Sequence, residues 1–163
     1  MSSTFSKRKR PRAKKLPPRI GWREWVCLPE LGISHIKAKV DTGARSSALH
    51  ALGIMPVVRD GAPWVRFRVQ PLQRSHGPSV LVEAPLVDQR WVRSSSGKRT
   101  LRPVVSTLVA LNGEVWPVEV TLVRRDLMGF RMLLGRQAIR SRFLVHPGRS
   151  FLGGTPPAES NAR

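Results

Sequence analysis

The stretch Ala38-Lys39-Val40-Asp41-Thr42-Gly43-Ala44 constrains the fold of this chain more than any other. Small and apolar residues alternate with a lysine and lead directly into a carboxylate at a tight Thr-Gly turn. The pattern predicts a short strand that ends at Asp41, because an Asp side chain caps its own backbone and Gly tolerates positive φ. Most Asp-x-Gly triplets are only turn formers, so a chemical role for Asp41 needs a second feature.

That second feature lies near the other end of the chain, in the segment Met132-Leu133-Leu134-Gly135-Arg136-Gln137-Ala138-Ile139. Three apolar residues predict a buried strand, which we expect to begin at Phe130. Gly135 then breaks the strand, and a short helix is predicted from Arg136 to Ser141. The two segments together predict a carboxylate-bearing turn near one strand end and a strand-to-helix junction at another.

Alternating apolar runs and turn signals about every eight to twelve residues predict an all-β barrel or sandwich with one late helix. Segment 46–52 is compatible with a helical turn or a strand, Pro56 and Asp60-Gly61 indicate turns, and Pro85 favours an edge strand. Asn112-Gly113 is the strongest short hairpin signal. Strands are predicted over 20–28, 33–40, 64–69, 80–87, 100–109, 115–123, 130–134 and 143–145.

The chain has 163 residues, which suits one domain with one core, and its 29 Lys+Arg against 10 Asp+Glu give a formal charge of +19. Such an excess favours anionic partners. Residues 1–19 hold eight basic residues and no acid, and we predict a disordered basic arm there. The domain is predicted over 20–152, and a disordered tail over 153–163. The cluster from Lys7 to Arg19 either contacts RNA or the ribosome through phosphates, or is a solvated tail.

The single cysteine, Cys27, excludes an internal disulfide and a multi-Cys zinc cluster, and it fits a reducing cytoplasm. We interpret it as a small core residue. No stretch is long enough to span a membrane, and the basic N-terminus lacks the apolar core of a secretory signal. No Gly-x-x-x-x-Gly-Lys loop is present, so no nucleotide or other cofactor is predicted.

Five segments, taken in order, resemble the small bacterial retropepsin-like aspartic peptidases historically called "ATP-dependent zinc proteases", which are associated with RimK-type glutamate ligases. The resemblance covers roughly 20–155, whereas Asp-Thr-Gly alone would be weak. His146 stands where the family pattern leads us to expect Asp. The matching segments are Asp41 to Ala51, Arg93 to Gly97, Arg102-Pro103-Val104-Val105, Arg125-Asp126-Leu127-Met128 and Leu133-Leu134-Gly135-Arg136.

The resemblance implies a small retropepsin-like closed barrel with one short C-terminal helix, in which Asp41 of two identical chains forms the catalytic pair. The chain has no internal repeat, so the second carboxylate would come from a homodimer. By the same resemblance Thr42 would lock the two turns together, Gly43 would admit the shared water, and Ala44 would keep the floor small. Gly135 and Arg136 would support the loop from behind, and Ser94, Ser95, Ser96, Gly97 and Lys98 would form a flap.

Other candidate residues have alternative roles. Asp126 competes as the second carboxylate, although it also suits a turn cap, and His50 belongs to a matched segment but a single His is more often structural. None of the four histidines forms His-Glu-x-x-His, so metal catalysis is not predicted. Asp60 and Asp88 fit turns, and Glu114 and Glu119 are expected to be solvated.

Three functions follow. The first is an aspartic endopeptidase acting on an acidic, glutamylated or ribosome-associated protein, since many arginines fall in or beside the matched segments. The second is a non-catalytic binding module for a glutamate ligase or a ribosomal component. The third is RNA binding through the arm and the arginine-bearing strand 64–69, although the chain has no tyrosine and only five Phe.

Overall fold

The computed structural model describes residues 12–72, 78–124 and 129–155. The prediction of an all-β chain with one short α-helix is confirmed. The strands are β1 Arg19–Gly21, β2 Arg23–Leu28, β3 Ile33–Asp41, β4 Ser47–His50, β5 Leu52–Arg59, β6 Ala62–Val69, β7 Val80–Arg93, β8 Arg99–Leu111, β9 Glu114–Val123, β10 Met132–Gly135 and β11 Leu144–His146. A 3-10 turn spans Pro29–Leu31, and helix α1 is Arg136–Ile139.

Nine strands form one sheet in the order β2-β3-β10-β4-β9-β8-β7-β6-β5. An additional pairing of β2 with β8, at Cys27 and Ala110, returns the sheet onto itself. The strands β2, β3, β10, β4, β9 and β8 therefore make a closed ring, and β7, β6 and β5 extend from it. Strands β1 and β11 pair in parallel as a separate two-stranded sheet.

The core fills this ring because one side of each strand is apolar. In β3 the side chains of Ile36, Ala38 and Val40 are buried, whereas the intervening residues are exposed or half-buried. This alternation is the signature of a sheet with one buried face. Since Val40 points inward, the following Asp41 side chain belongs to the outer face of β3.

Strand β7 is longer than predicted, since it continues from Val80 to Arg93. Its first part pairs with β6 as far as Pro85, and its second part pairs with β8 from Leu86 onward. The change of partner falls where proline supplies no N–H donor. The predicted turn at Pro56 is wrong, because Pro56 lies inside β5 opposite Val65, at the end of the sheet where a missing N–H is tolerated.

Several boundary predictions lie partly outside the described residues. These are residues 1–11 of the predicted arm, 73–77 between the predicted strands 64–69 and 80–87, 125–128 between the predicted strands 115–123 and 130–134, and 156–163 of the predicted tail. Residues 12–18 contain no helix or strand, and the first strand already begins at Arg19. Within the ranges that the structure covers, no helix is long and apolar enough to cross a membrane.

Candidate active site

Asp41 ends β3 and its carboxylate is held by the backbone that follows it. The N–H groups of Gly43 and Ala44 donate to Asp41 Oδ1 at 3.1 and 3.2 Å, and the Ala44 N–H also lies 3.3 Å from the Asp41 carbonyl oxygen. In the part of the chain that the structure describes, Oδ2 accepts no hydrogen bond. One oxygen of this half-buried carboxylate is thus fixed by two backbone donors.

The strand-to-helix junction lies directly against this loop. Gly135 is the partner of Asp41 in the parallel pairing of β10 with β3. The Arg136 N–H donates to the Ala44 carbonyl at 2.7 Å, and the Arg136 Nη1 donates to the Thr42 carbonyl at 3.1 Å. Arg136 therefore binds two carbonyl groups of the loop, and the Asp41 carboxylate binds two of its N–H groups. Together these hydrogen bonds fix the path of the loop.

Position 135 requires glycine because there is no room for a side chain. Its backbone angles do not require glycine, since they are extended at φ −79° and ψ 169°. A Cβ at this position would lie 2.5 Å from both the carbonyl carbon and the carbonyl oxygen of Ser46. The buried Ser47 completes the junction, because its Oγ accepts the Gly135 N–H at 3.0 Å. Close backbone approach between β10 and the loop is possible only without a side chain here.

Thr42 and Gly43 are exposed at the tip of the loop. An open groove of about 500 Å³ begins at Thr42 and runs along the helix, with mostly apolar walls. Its other lining residues are Arg136, Ile139, Arg140, Phe143 and Val145. The accessible side of the Asp41 turn therefore continues into an apolar surface with two arginines.

The predicted flap residues form the turn between β7 and β8. The Ser94 N–H donates to the Lys98 carbonyl and the Gly97 N–H to the Ser94 carbonyl, both at 2.9 Å, while the Ser94 and Ser96 hydroxyl groups are 2.8 Å apart. Ser95 and Gly97 are exposed, and Gly97 has φ +83°. The segment is thus a closed polar hairpin tip.

The base of this hairpin reaches the Asp41 region through Arg90. Arg90 donates to Asp88 at 2.7 Å and to Glu119 at 2.6 Å, and it lines a cavity of about 180 Å³ with Ser46 and Gln137. The hydrogen bond that Arg90 donates to Glu119, and then the one that it donates to Asp88, raise the pKa of Arg90. The Arg90 bond and the Gln89 N–H lower the pKa of Asp88. Glu119 was expected to be solvated; it is exposed, yet it is ion-paired.

The other acidic candidates lie in different places. Asp60 is in the β5–β6 turn with φ +49°, and Glu114 begins β9 beside the segment from Lys15 to Pro18. Asp126 lies outside the described residues. Within the described ranges, no hydrogen bond or ion pair joins any carboxylate to Asp41.

The histidines are dispersed. His50 is buried in β4, where its backbone N–H donates to the Arg131 carbonyl at 2.7 Å. His146 Nδ1 accepts the Gly148 N–H at 3.1 Å, and His35 packs edge-on against Trp25. His76 lies outside the described residues. Among the residues that are described, no group of three or more His, Cys, Asp or Glu side chains is placed to hold a metal ion.

The arginines of the matched segments and of the strand 64–69 are not one cluster. Arg66 is bound by Glu83 at 2.7 Å, and burial lowers the pKa of Arg102. Arg45 is exposed in the loop that follows Asp41, whereas Arg93 and Arg99 lie near the hairpin tip.

Comparison with known proteins assigns the chain to a family. A model of the RimB-like family, described as "Retropepsin-like aspartic endopeptidase RimB", matches residues 19–156. The chain belongs to this family. The matched range begins at β1 and contains both the Asp41 loop and the Gly135 junction.

Three relatives add to this assignment. A "Probable alpha-L-glutamate ligase" of Shewanella pealeana is 46% identical over 135 residues, which are 83% of this chain and 30% of that protein. A protein of the same name from Parasynechococcus marenigrum is 48% identical over 128 residues, 78% of this chain and 28% of that protein. A crystal structure of a Legionella pneumophila protein of unknown function has a TM-score of 0.70 and 28% identity, covering 83% of this chain and 98% of that chain. The RimB-like chain therefore spans less than a third of these ligase relatives.

Sequence reasoning missed Glu24, the buried acid of the domain. It is 0% exposed, and its carboxylate accepts the N–H groups of Gly21, Leu152 and Gly153 at 2.7, 2.8 and 3.1 Å. The only available signal was its position between Arg23 and Trp25 on an alternating strand, where an inward residue is expected at 24. Glu24 thus holds the C-terminal segment of the RimB-like domain against β2 by hydrogen bonds. Near it, the Trp22 carbonyl accepts the Val40 N–H at 2.8 Å.

Proposed function

We propose that this chain is an aspartic-type peptidase whose active site forms from Asp41 of two identical chains. One observation carries the proposal: two backbone N–H groups hold Asp41 Oδ1 and leave Oδ2 without a hydrogen bond among the described residues. A carboxylate that served only as a turn cap would gain nothing from the Arg136 and Gly135 contacts on the reverse side of the loop. Family membership supports the same chemistry.

The proposal needs a second carboxylate, and the described part of one chain offers no suitable one. Glu24 is buried by three backbone donors, Glu83 is paired with two arginines, and Asp88 and Glu119 are paired with Arg90. A two-fold axis beside Thr42 would instead bring in Asp41 of a second copy. The exposed Thr42 and the adjoining groove leave this side of the loop accessible to such a partner.

In the proposed pair the two carboxylates share one proton, because like charges about 3 Å apart cannot both ionise. One carboxylate takes a proton from the attacking water, and the other donates a proton to the scissile carbonyl. The two apparent pKa values belong to the pair and not to one residue. The hairpin tip from Ser94 to Lys98 would cover the peptide and exclude bulk water.

The charges around the loop favour an acidic substrate. Lys39 precedes Asp41 by two residues and so lies on the same outer face of β3, while Arg45 is exposed within the loop. Arg136 and Arg140 line the adjoining groove. These cations lie near one half-buried carboxylate, so an acidic or glutamylated peptide would meet a complementary surface.

The first test is the solution mass at several salt concentrations, followed by cleavage of acidic and neutral peptides from acid to neutral pH. We expect a dimer that strengthens as salt screens the charge, and a D41N variant that folds and dimerises but cleaves at least about 100-fold more slowly. Asp60→Asn, in an exposed turn, is the matched control. A strict monomer, or a D41N variant with full activity, would contradict the proposal.

A second function is favoured by the ligase relatives. Since the matched segment is only 30% of proteins named probable glutamate ligases, the domain in this chain would act as a binding module for a separate ligase or a ribosomal component. The basic segment Lys7 to Arg19 would add an RNA contact. D41N separates the two functions, because a binding module keeps its partner affinity and shows no cleavage even as wild type. Deletion of residues 1–19 tests the arm.

A further inference from the structure

We propose that the outward face of the β7–β8 hairpin binds single-stranded nucleic acid. We call this surface the hairpin face and define it by Trp91 and Arg93 of β7 and by Arg99 and Leu101 of β8. Trp91 pairs directly with Leu101, and Arg93 pairs directly with Arg99. The four side chains are therefore on one side of a two-stranded ribbon.

The apolar half of the hairpin face is exposed to an unusual degree. Trp91 is 61% exposed and Leu101 is 48% exposed, although they are cross-strand neighbours that could have packed inward. An exposed tryptophan is a flat surface on which any nucleic-acid base can stack. The Arg99 guanidinium lies 5.6 Å from the Trp91 ring centroid, so a cation is already held beside that surface.

The cationic half is unfavourable in the free protein. Arg93 and Arg99 are directly opposite each other, and like charges in this relation destabilise a sheet. No ion pair found in the described ranges involves either arginine or the adjacent Lys98. By contrast, Arg90 on the other side of the same ribbon binds two carboxylates. Three cations without an ion pair in the described ranges thus lie beside an exposed aromatic ring. A complementary ligand is an anion that also carries rings.

The hairpin face is separate from the proposed peptidase cleft. Arg90 points to the cavity that Ser46 and Gln137 line, and alternation places Trp91 on the opposite side of β7. A peptide between the hairpin and Asp41 would therefore contact the Arg90 side. The hairpin face would remain available to a second partner.

The geometry favours nucleic acid over a membrane surface. Insertion into lipid would require apolar residues at the tip, whereas the tip consists of Ser94, Ser95, Ser96, Gly97 and Lys98. Trp91 and Leu101 lie behind this tip on the two-stranded ribbon, and the Arg93–Arg99 pair lies between them and the tip. A strand of RNA can stack a base on Trp91 while its phosphates meet Arg93, Lys98 and Arg99. The excess of basic residues over the whole chain, at +19, supports the approach of such a polyanion.

The test is fluorescence anisotropy of the full chain with a labelled single-stranded oligouridylate. Trp91→Ala should weaken binding by about 5- to 100-fold, and Trp91→Phe should restore most of it. The double variant R93Q/R99Q should reduce the slope of log affinity against log salt by about 1.4, since each lost phosphate contact contributes about 0.7 on a single strand. The control R68Q/R149Q removes two exposed charges elsewhere, and melting temperatures of all variants establish that they fold.

Four results with soluble ligands would overturn the proposal. They are the absence of binding, equal losses in R93Q/R99Q and in R68Q/R149Q, unchanged affinity in Trp91→Ala, and tighter binding to polyglutamate of matched charge than to the RNA. Binding to anionic phosphatidylserine vesicles but not to RNA would assign the hairpin face to a membrane and would equally overturn it. Because every variant keeps the N-terminal arm, differences between variants cannot come from a change in the arm.

Discussion

Gly135 and Asp41 are direct partners across the parallel β10–β3 pairing, and a Cβ on Gly135 would lie 2.5 Å from the Ser46 carbonyl group. The turn that presents Asp41 is thus fitted against a second backbone with no room for a side chain. The same contact links two segments that are more than 90 positions apart in the sequence. Support for the carboxylate comes from tertiary packing as well as from the local Asp-Thr-Gly turn.

Gly135→Ala tests this fit. The added methyl group must displace the Ser46 backbone, and overpacking of this kind costs about 1–3 kcal/mol. We expect a lower free energy of unfolding in urea, together with reduced peptidase activity at temperatures where the variant is folded. Gly129→Ala is the control, because a Cβ at Gly129 meets no atom within 4 Å. Equal free energies of unfolding for the two variants would show that the Ser46 backbone can move away from the added methyl group at little cost.

Glu24→Gln tests the buried carboxylate. Glu24 Oε1 accepts the Gly21 and Leu152 N–H groups, and Oε2 accepts the Gly153 N–H. A Gln amide would place an N–H₂ group against one of these donors, and a buried unmade hydrogen bond costs about 1–3 kcal/mol. We expect lower stability and earlier proteolytic cleavage near residues 150–155, measured against Glu30→Gln on the exposed 3-10 turn. An unchanged cleavage pattern would mean that Glu24 does not hold this segment.

Glu83→Gln tests the pH dependence of stability. Hydrogen bonds from Arg66 and then Arg59 lower the pKa of Glu83 below its ordinary 4.5. The unfolded chain therefore binds the proton more readily, so this contribution is present above pH 4.5 and is lost as pH falls through the lowered pKa. Between about pH 6 and about pH 3, the melting temperature of the wild type should fall more than that of Glu83→Gln. Glu30→Gln should behave as the wild type, and high salt should shrink the difference.

Features with a local cause were predictable from the sequence. Asn112 and Gly113 have φ of 53° and 77°, the paired positive angles of the predicted hairpin turn. The apolar strand before Gly135 and the helix after it also follow from short-range patterns. The all-β class followed because turn signals and alternation act over a few residues at a time.

Features that depend on distant partners were not predictable. Two of the three N–H groups that bind Glu24 belong to residues 152 and 153, and nothing near position 24 in the sequence indicates that these distant groups reach it. Strand β7 continues through Asp88 and Arg90 because its pairing passes from β6 to β8 after Pro85. Pro56 was predicted as a turn, but it is tolerated in a strand because β5 ends the sheet.

Mixing wild-type and D41N chains tests whether the proposed site is shared. If activity needs Asp41 from both partners, random exchange at equal concentrations leaves about a quarter of the dimers with two aspartates, and activity falls as the square of the wild-type fraction. A site contained within one chain would instead retain about half of the activity and fall linearly. The measurement is the cleavage rate of an acidic peptide at constant total protein, after incubation long enough for chains to exchange. Asp60→Asn chains are the control, since mixing them with wild-type chains should leave the activity unchanged. A linear loss of activity with D41N would require a second carboxylate from the same chain.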